Sequence, residues 1–189
     1  MASKFRKISV YLSIMLIKLR GILEFSPVDV TRKHKAQSSW KCVAIIKTDC
    51  DMDRYYAWFI KKRFNLELNK NLRGSHITFI NDKMDKKIFE QATQVFDGRE
   101  IDFYLELEPR SNGEHWWFRV HSSDSENIRE ALGLSRDPYF GLHFTIGHAN
   151  EKYLDHSEYI LEQCKRFNLT SNEPRKPLEE YEIIDFTTK

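Results

Sequence analysis

Two short strings in this 189-residue chain, Gly74-Ser-His-Ile-Thr78 and Gly141-Leu-His-Phe-Thr145, carry one pattern, Gly-x-His-x-Thr. On an extended strand, residues two apart project from the same face. Each string therefore sets an imidazole beside a hydroxyl, while Ile77 or Phe144 turns the other way. Histidine titrates near neutrality, so of two imidazoles brought together one can accept a proton while the other donates one. His76, Thr78, His143 and Thr145 are accordingly the candidate catalytic residues. With seven His and eight Thr in the chain, two chance His-x-Thr pairs are expected in roughly a few per cent of such compositions. The matching Gly lowers that further, so the pair reads as one functional unit. The competing reading, a His packed in a sheet beside a Thr chosen for strand propensity, accounts for one copy better than for two.

Hydrophobic spacing gives the elements that must hold these residues. Residues 42–48 are short, β-branched and apolar, as a buried strand is. A helix is expected from about residue 54, with Tyr56, Phe59, Ile60 and Phe64 on its inner side and Lys61-Lys62-Arg63 as a solvated face. The Tyr55-Tyr56-x-Trp58 cluster reads as packing of that helix. The first His strand and a helix over 89–96 follow. A hairpin over 101–107 and 114–120 turns at Ser111-Asn112-Gly113. The Ser123-Asp-Ser-Glu126 box starts a helix that Gly133 ends. Then come the second His strand over 140–146, a helix over 151–167 and a last strand over 181–186. This order reads as two related α+β halves, with His143 lying 67 residues after His76. Packed about an approximate twofold axis, such halves bring both His-Thr pairs onto the walls of one cleft.

A content of 41% hydrophobic, 13% aromatic and 31% charged residues excludes a disordered chain and supports a packed core under a soluble surface. The net charge of +2 does not demand a nucleic-acid partner. Cys42, Cys50 and Cys164 are odd in number and lack C-x-x-C spacing, which argues against a disulfide framework or a cysteine zinc site and for a reducing, cytoplasmic location. The spacing of His143 and His148 fits no metal motif, and neither a metal nor another cofactor is expected. An apolar run over 10–17 is too short to span a bilayer; Lys18 and Arg20 interrupt it and no small-x-small cleavage site follows. Ile8, Leu12, Met15, Leu16, Leu19 and Leu23 recur at helical spacing, which predicts an amphipathic helix packed on the body, on a partner or on a membrane surface. Residues 26–39 read as a linker. The expected division is an N-terminal segment over 1–39 and a domain over 40–189.

The paired strings resemble the signature of the two-histidine phosphoesterase superfamily, the LigT-like enzymes: two H-x-[ST]-x motifs a comparable stretch apart, here His-Ile-Thr-Phe and His-Phe-Thr-Ile. In element order the resemblance covers about residues 40–186. It implies an α+β, bilobed fold, with two pseudo-symmetric lobes of antiparallel sheet around a central cleft. It also implies metal-independent hydrolysis of a nucleotide phosphodiester: an RNA 2′,3′-cyclic phosphate, a 2′,5′ linkage or, as in some viral relatives, a cyclic oligonucleotide signal such as cyclic GMP-AMP. The last substrate would imply a role in defeating host immune signalling. Displacement at phosphorus needs a base at the attacking oxygen and an acid at the leaving one, on opposite sides. Thr78 and Thr145 would donate to the non-bridging oxygens as charge develops. The sequence leaves open which His is base and which acid. The alternative is a non-catalytic RNA- or nucleotide-binding module on the same fold, for which a matched acid and base serve no purpose.

Substrate recognition is less legible. His115, Trp117, Arg119 and His121 share one face of their strand, and Trp116, Phe118 and Val120 share the other, which reads as core. If the first face lines the cleft, Arg119 neutralises a phosphate and Trp117 stacks on a base. If it meets solvent, these are surface residues. Tyr139, beside the second motif, is a further candidate for stacking or else a core or loop aromatic. Asn81, and His148 on the strand exit, are either near the cleft or, the better reading, loop polar residues.

Overall fold

The computed structural model describes residues 15–27, 42–71, 73–149, 157–166 and 178–187. Its order is β1 (Met15–Phe25), β2 (Cys42–Lys47), α1 (Met52–Phe64), β3 (Leu68–Asn69), β4 (His76–Asp82), α2 (Lys86–Phe96), β5 (Glu100–Glu106), β6 (Arg110–Ser111), β7 (His115–His121), α3 (Ser123–Ala131), β8 (His143–Ala149), α4 (Ser157–Arg166) and β9 (Glu182–Asp185). The fold is mixed α+β. Strands β8, β4, β2, β1, β5 and β7 pair in that order, and β7 closes back on β8, so the sheet forms a ring. Every pairing in the ring is antiparallel. Strands β3 and β6 extend its margins, and β9 runs parallel to β1.

One buried row organises this ring. Leu23 pairs with Ile46, Ile46 with Ile77, Ile77 with Phe144 and Phe144 with Phe118, a continuous apolar line across five strands. All five are at most 1 % exposed. The helices pack on this face. Helix α1 is amphipathic: Tyr56 sets its ring edge-on to Phe118 at 4.5 Å, Ile60 is fully buried and Phe64 meets Trp116 at 5.2 Å. Tyr55 and Trp58 stay exposed, so only Tyr56 of that cluster packs inward. Helix α2, capped by Asp85 accepting from the Lys87 amide, brings Phe89 to Phe25 at 5.3 Å.

The N-terminal expectation needs correction. Met15–Phe25 is a strand, not a helix, and sits in the middle of the sheet between β2 and β5. Leu16, Leu19 and Leu23 satisfy a helical count, but the stretch also alternates: Ile17, Leu19, Gly21, Leu23 and Phe25 face the helices, while Lys18, Arg20, Ile22 and Glu24 face the other way. Lys18 and Arg20 are held by Asp102 of β5 at 3.0 and 3.2 Å, a cross-strand pairing that a helix could not make. The body therefore includes residues ahead of the boundary expected at residue 40. Residues 1–14, most of the expected linker and the start of the helix expected from residue 151 lie outside the described residues.

Two smaller boundaries also move. The cap of α3 is Ser122 rather than Ser123: Ser122 is extended and its hydroxyl accepts from the Ser125 amide, while Ser123 is already helical. The second His strand starts at His143, because residues 138–141 are used in a turn closed by the Gly141 amide donating to the Pro138 carbonyl. No helix among the described residues is long and apolar enough to cross a membrane.

Candidate active site

The residues flanking the buried row point to the opposite face of the ring, away from the helices. On one side of the row lie Ile22, Lys47 and His76, paired in turn, and across the junction Thr145 paired with Trp117. On the other side lie Glu24, Ile45 and Thr78, and then His143 paired with Arg119. At the junction, β4 and β8 run antiparallel about the single pair Ile77 and Phe144, the central residues of the two motifs. His76 thus falls beside Thr145, and Thr78 beside His143. The two strings expected to meet do meet, and each imidazole has the other motif's threonine as its cross-strand neighbour.

The same local device builds both motifs. The Gly74 amide donates to the Asn71 carbonyl and the Gly141 amide to the Pro138 carbonyl, closing a turn three residues back in each case. Both glycines have positive φ, +72° and +67°, a conformation that disfavours any side chain. That conformation brings the glycine carbonyl to the ring two residues on: His76 Nδ1 lies 2.8 Å from Gly74 O, and His143 Nδ1 lies 2.9 Å from Gly141 O. A carbonyl only accepts, so Nδ1 carries a proton in each ring. Nε2, on the opposite edge, has no partner among the described residues in either ring. The glycine of the motif therefore fixes the tautomer and the direction in which the ring is turned. Each strand is anchored alike, with the carbonyls of Ser75 and Leu142 accepting from the amides of Thr48 and Val120. The turns also reach across, as Asn71 Nδ2 donates to the Thr145 carbonyl at 2.6 Å.

The electrostatic settings differ. Burial pushes the His76 ring toward its neutral form, and the charges of Arg73 and His143 add to that, against the opposing pull of the Gly74 carbonyl and Glu24. The His143 contribution means that the two rings lie within electrostatic reach of each other. On the β7 side, Arg119 sits between His143 and a buried carboxylate. Burial raises the Glu106 carboxyl, but a hydrogen bond from His121 Nε2 at 3.0 Å and the charges of His121, Arg119 and Arg110 outweigh it and hold the group below the usual carboxylate range. Tyr181 also donates to Glu106, at 3.3 Å.

Of the residues expected to recognise substrate, Trp117 and Arg119 are half-buried and lie on the motif face beside Thr145 and His143, with Trp116, Phe118 and Val120 wholly in the core. His121, from the same alternating set, is instead buried against Glu106. Tyr139 is 94 % exposed; its neighbour Phe140 lines a cavity with Trp117, His143 and Thr145. Phe140 and Asn112 of that cavity had no sequence signal beyond their nearness to the motif and the hairpin turn. Asn81 and His148 are exposed, at strand positions facing Val43 and His115. Among the described residues, no three His, Cys, Asp or Glu side chains gather as a metal-binding group. No protein-family model, curated protein or solved structure matches the chain.

Proposed function

We propose that the protein is a metal-independent phosphodiesterase that hydrolyses a nucleotide phosphodiester by paired-histidine general acid–base catalysis, on a bilobed fold of the two-histidine phosphoesterase kind. The observation that carries this reading is the duplicated Gly carbonyl to His Nδ1 bond, which leaves two Nε2 atoms unengaged by any described residue, on one face beside two threonines. A packed sheet histidine needs no such device twice.

In this mechanism His76, biased to its neutral form, accepts the proton of the attacking hydroxyl or water at Nε2. The P–O bond to the leaving oxygen breaks as His143 delivers its Nε2 proton to that oxygen. Each transfer is worth about 10² to 10⁴ in rate. Thr78 and Thr145 donate hydrogen bonds to the non-bridging oxygens, and Arg119, across from His143, balances the charge that builds there. The substrates that fit are an RNA 2′,3′-cyclic phosphate, a 2′,5′ linkage or a cyclic oligonucleotide such as cyclic GMP-AMP, with the cytoplasm as the place of action.

The test is hydrolysis in EDTA of 2′,3′-cyclic nucleotides, 2′,5′ and 3′,5′ dinucleotides and cyclic dinucleotides, with the His76→Ala protein as blank. Turnover of one class by the wild-type protein alone is the expected result. Binding without turnover of any diester would move the assignment to a nucleotide-binding module.

A further inference from the structure

A cavity of about 370 Å³ opens beside His143, lined by Asn112, His115, Trp117, Phe140, His143 and Thr145. Its size lies within the roughly 300–1,000 Å³ of small-molecule sites. We infer that this cavity is a nucleobase slot, and that it holds the base of the nucleoside whose oxygen leaves phosphorus. The inference rests on the phosphodiesterase reading, because the leaving oxygen is the one that His143 protonates.

Two observations point the same way. The first is the wall: Trp117 stands beside Thr145 in register, and Phe140 lines the mouth while leaving 82 % of its surface in water. A large apolar ring so exposed next to a reactive histidine gains most from a flat partner laid against it, and base–aromatic stacking is indifferent to which base supplies the face. The second is a reader. Asn112 Oδ1 accepts from the Glu114 and His115 amides at 3.1 and 2.7 Å, so its amide NH₂ is the end that remains to donate. A base edge offers it a carbonyl oxygen or ring nitrogen.

The experiment is a calorimetric titration of wild-type protein with the four 5′-nucleoside monophosphates and with ribose 5-phosphate as the base-free probe. The nucleotides are expected to bind at least about tenfold tighter than ribose phosphate, the scale of one stacked base. Phe140→Ala, an exposed loop change, should erase most of that advantage and leave ribose phosphate binding unchanged. Asn112→Asp keeps the oxygen that accepts both turn amides and replaces the donor, so 5′-UMP should lose affinity relative to 5′-CMP, a ratio in which the added charge cancels. Equal binding of nucleotides and ribose phosphate, or a Phe140→Ala protein that still prefers nucleotides by the full factor, overturns the slot. Turnover of a diester with base-independent binding overturns the slot alone. Base-dependent binding with no turnover of any diester overturns the catalytic reading, and with it the assignment of the base to the leaving side.

Discussion

The turn that leads into β4 and the turn that leads into β8 share a backbone and differ in furniture. Both close on a glycine amide, both put that glycine at positive φ, and both return its carbonyl to a histidine Nδ1. The residue ahead of the glycine is Arg73 in one and Phe140 in the other. Across the sheet, His76 has Lys47 as its neighbour and His143 has Arg119, the latter backed by Glu106. The shared backbone does what both rings need, which is to fix the tautomer. The differing side chains do what only one ring needs. Arg73 beside His76 adds to the burial that biases that ring toward its neutral form, as a proton acceptor would need, whereas an aromatic beside His143 shapes the place where a base would lie.

The largest effects should come from the rings themselves. His76→Ala and His143→Ala are each expected to lower kcat/KM by about 10³-fold or more, without loss of fold by circular dichroism. The double variant should be little worse than either, because residues that act as a unit do not contribute additively. The two singles should part company on a nucleotide p-nitrophenyl ester, whose leaving group needs no proton. His143→Ala should recover most of its activity there, and His76→Ala should not. Recovery by His76→Ala instead would reverse the roles. Thr78→Val and Thr145→Val should fall short of the histidine losses, at about 10²-fold for removal of one donor.

How much of this was legible beforehand depends on the reach of the interaction. The motif face and the buried row were readable because strand alternation is local: His76 and Thr78 must oppose Ile77, and Trp116 must oppose Trp117. The meeting of the motifs followed from their duplication. The β1 strand was misread because its leucines satisfy both periods over a short window, and only its pairing with Asp102 and Ile46, far along the chain, decides between them. His121 shared a face with Trp117 and Arg119, yet its place is set by Glu106 and Tyr181, which no local pattern connects to it. Phe140 rather than Tyr139 lines the cavity because the Pro138 turn decides which of two adjacent rings points in.

The shared backbone can be attacked at both ends at once. Gly74→Ala and Gly141→Ala each place a side chain at positive φ, a strain of about 1 kcal/mol or somewhat more. At Gly74 nothing lies within 4 Å of an added Cβ, so the conformation alone is charged there and no collision adds to it. If the carbonyl swings away, the Nδ1 bond is lost and the ring is freed to adopt the other tautomer. Both variants should therefore lose about fivefold in kcat with KM little changed, from an interaction worth about 1 kcal/mol. Similar losses at the two glycines would confirm that the device is common to both; a loss at only one would mean that a single ring depends on it.

The smallest expected effect separates the furniture. The acid limb of kcat/KM reports the base of the free enzyme, and His76 can act as base only while it is unprotonated. Burial first, and then the charges of Arg73 and His143, hold its pKa below the ordinary value of 6.5, so the limb should lie on the acid side of that value. Arg73→Ala removes one of those repulsions. The pKa of His76 then rises and the limb moves to higher pH, costing activity on the acid side and little at pH 8. Added salt should reproduce part of the shift in the wild-type protein by screening the same charge. Phe140→Ala, at the equivalent position of the other turn, carries no charge to lose and should leave the limb where it is. A limb that moves with Phe140 and not with Arg73 would place the base at His143, and would turn the direction of the substrate in the cleft with it.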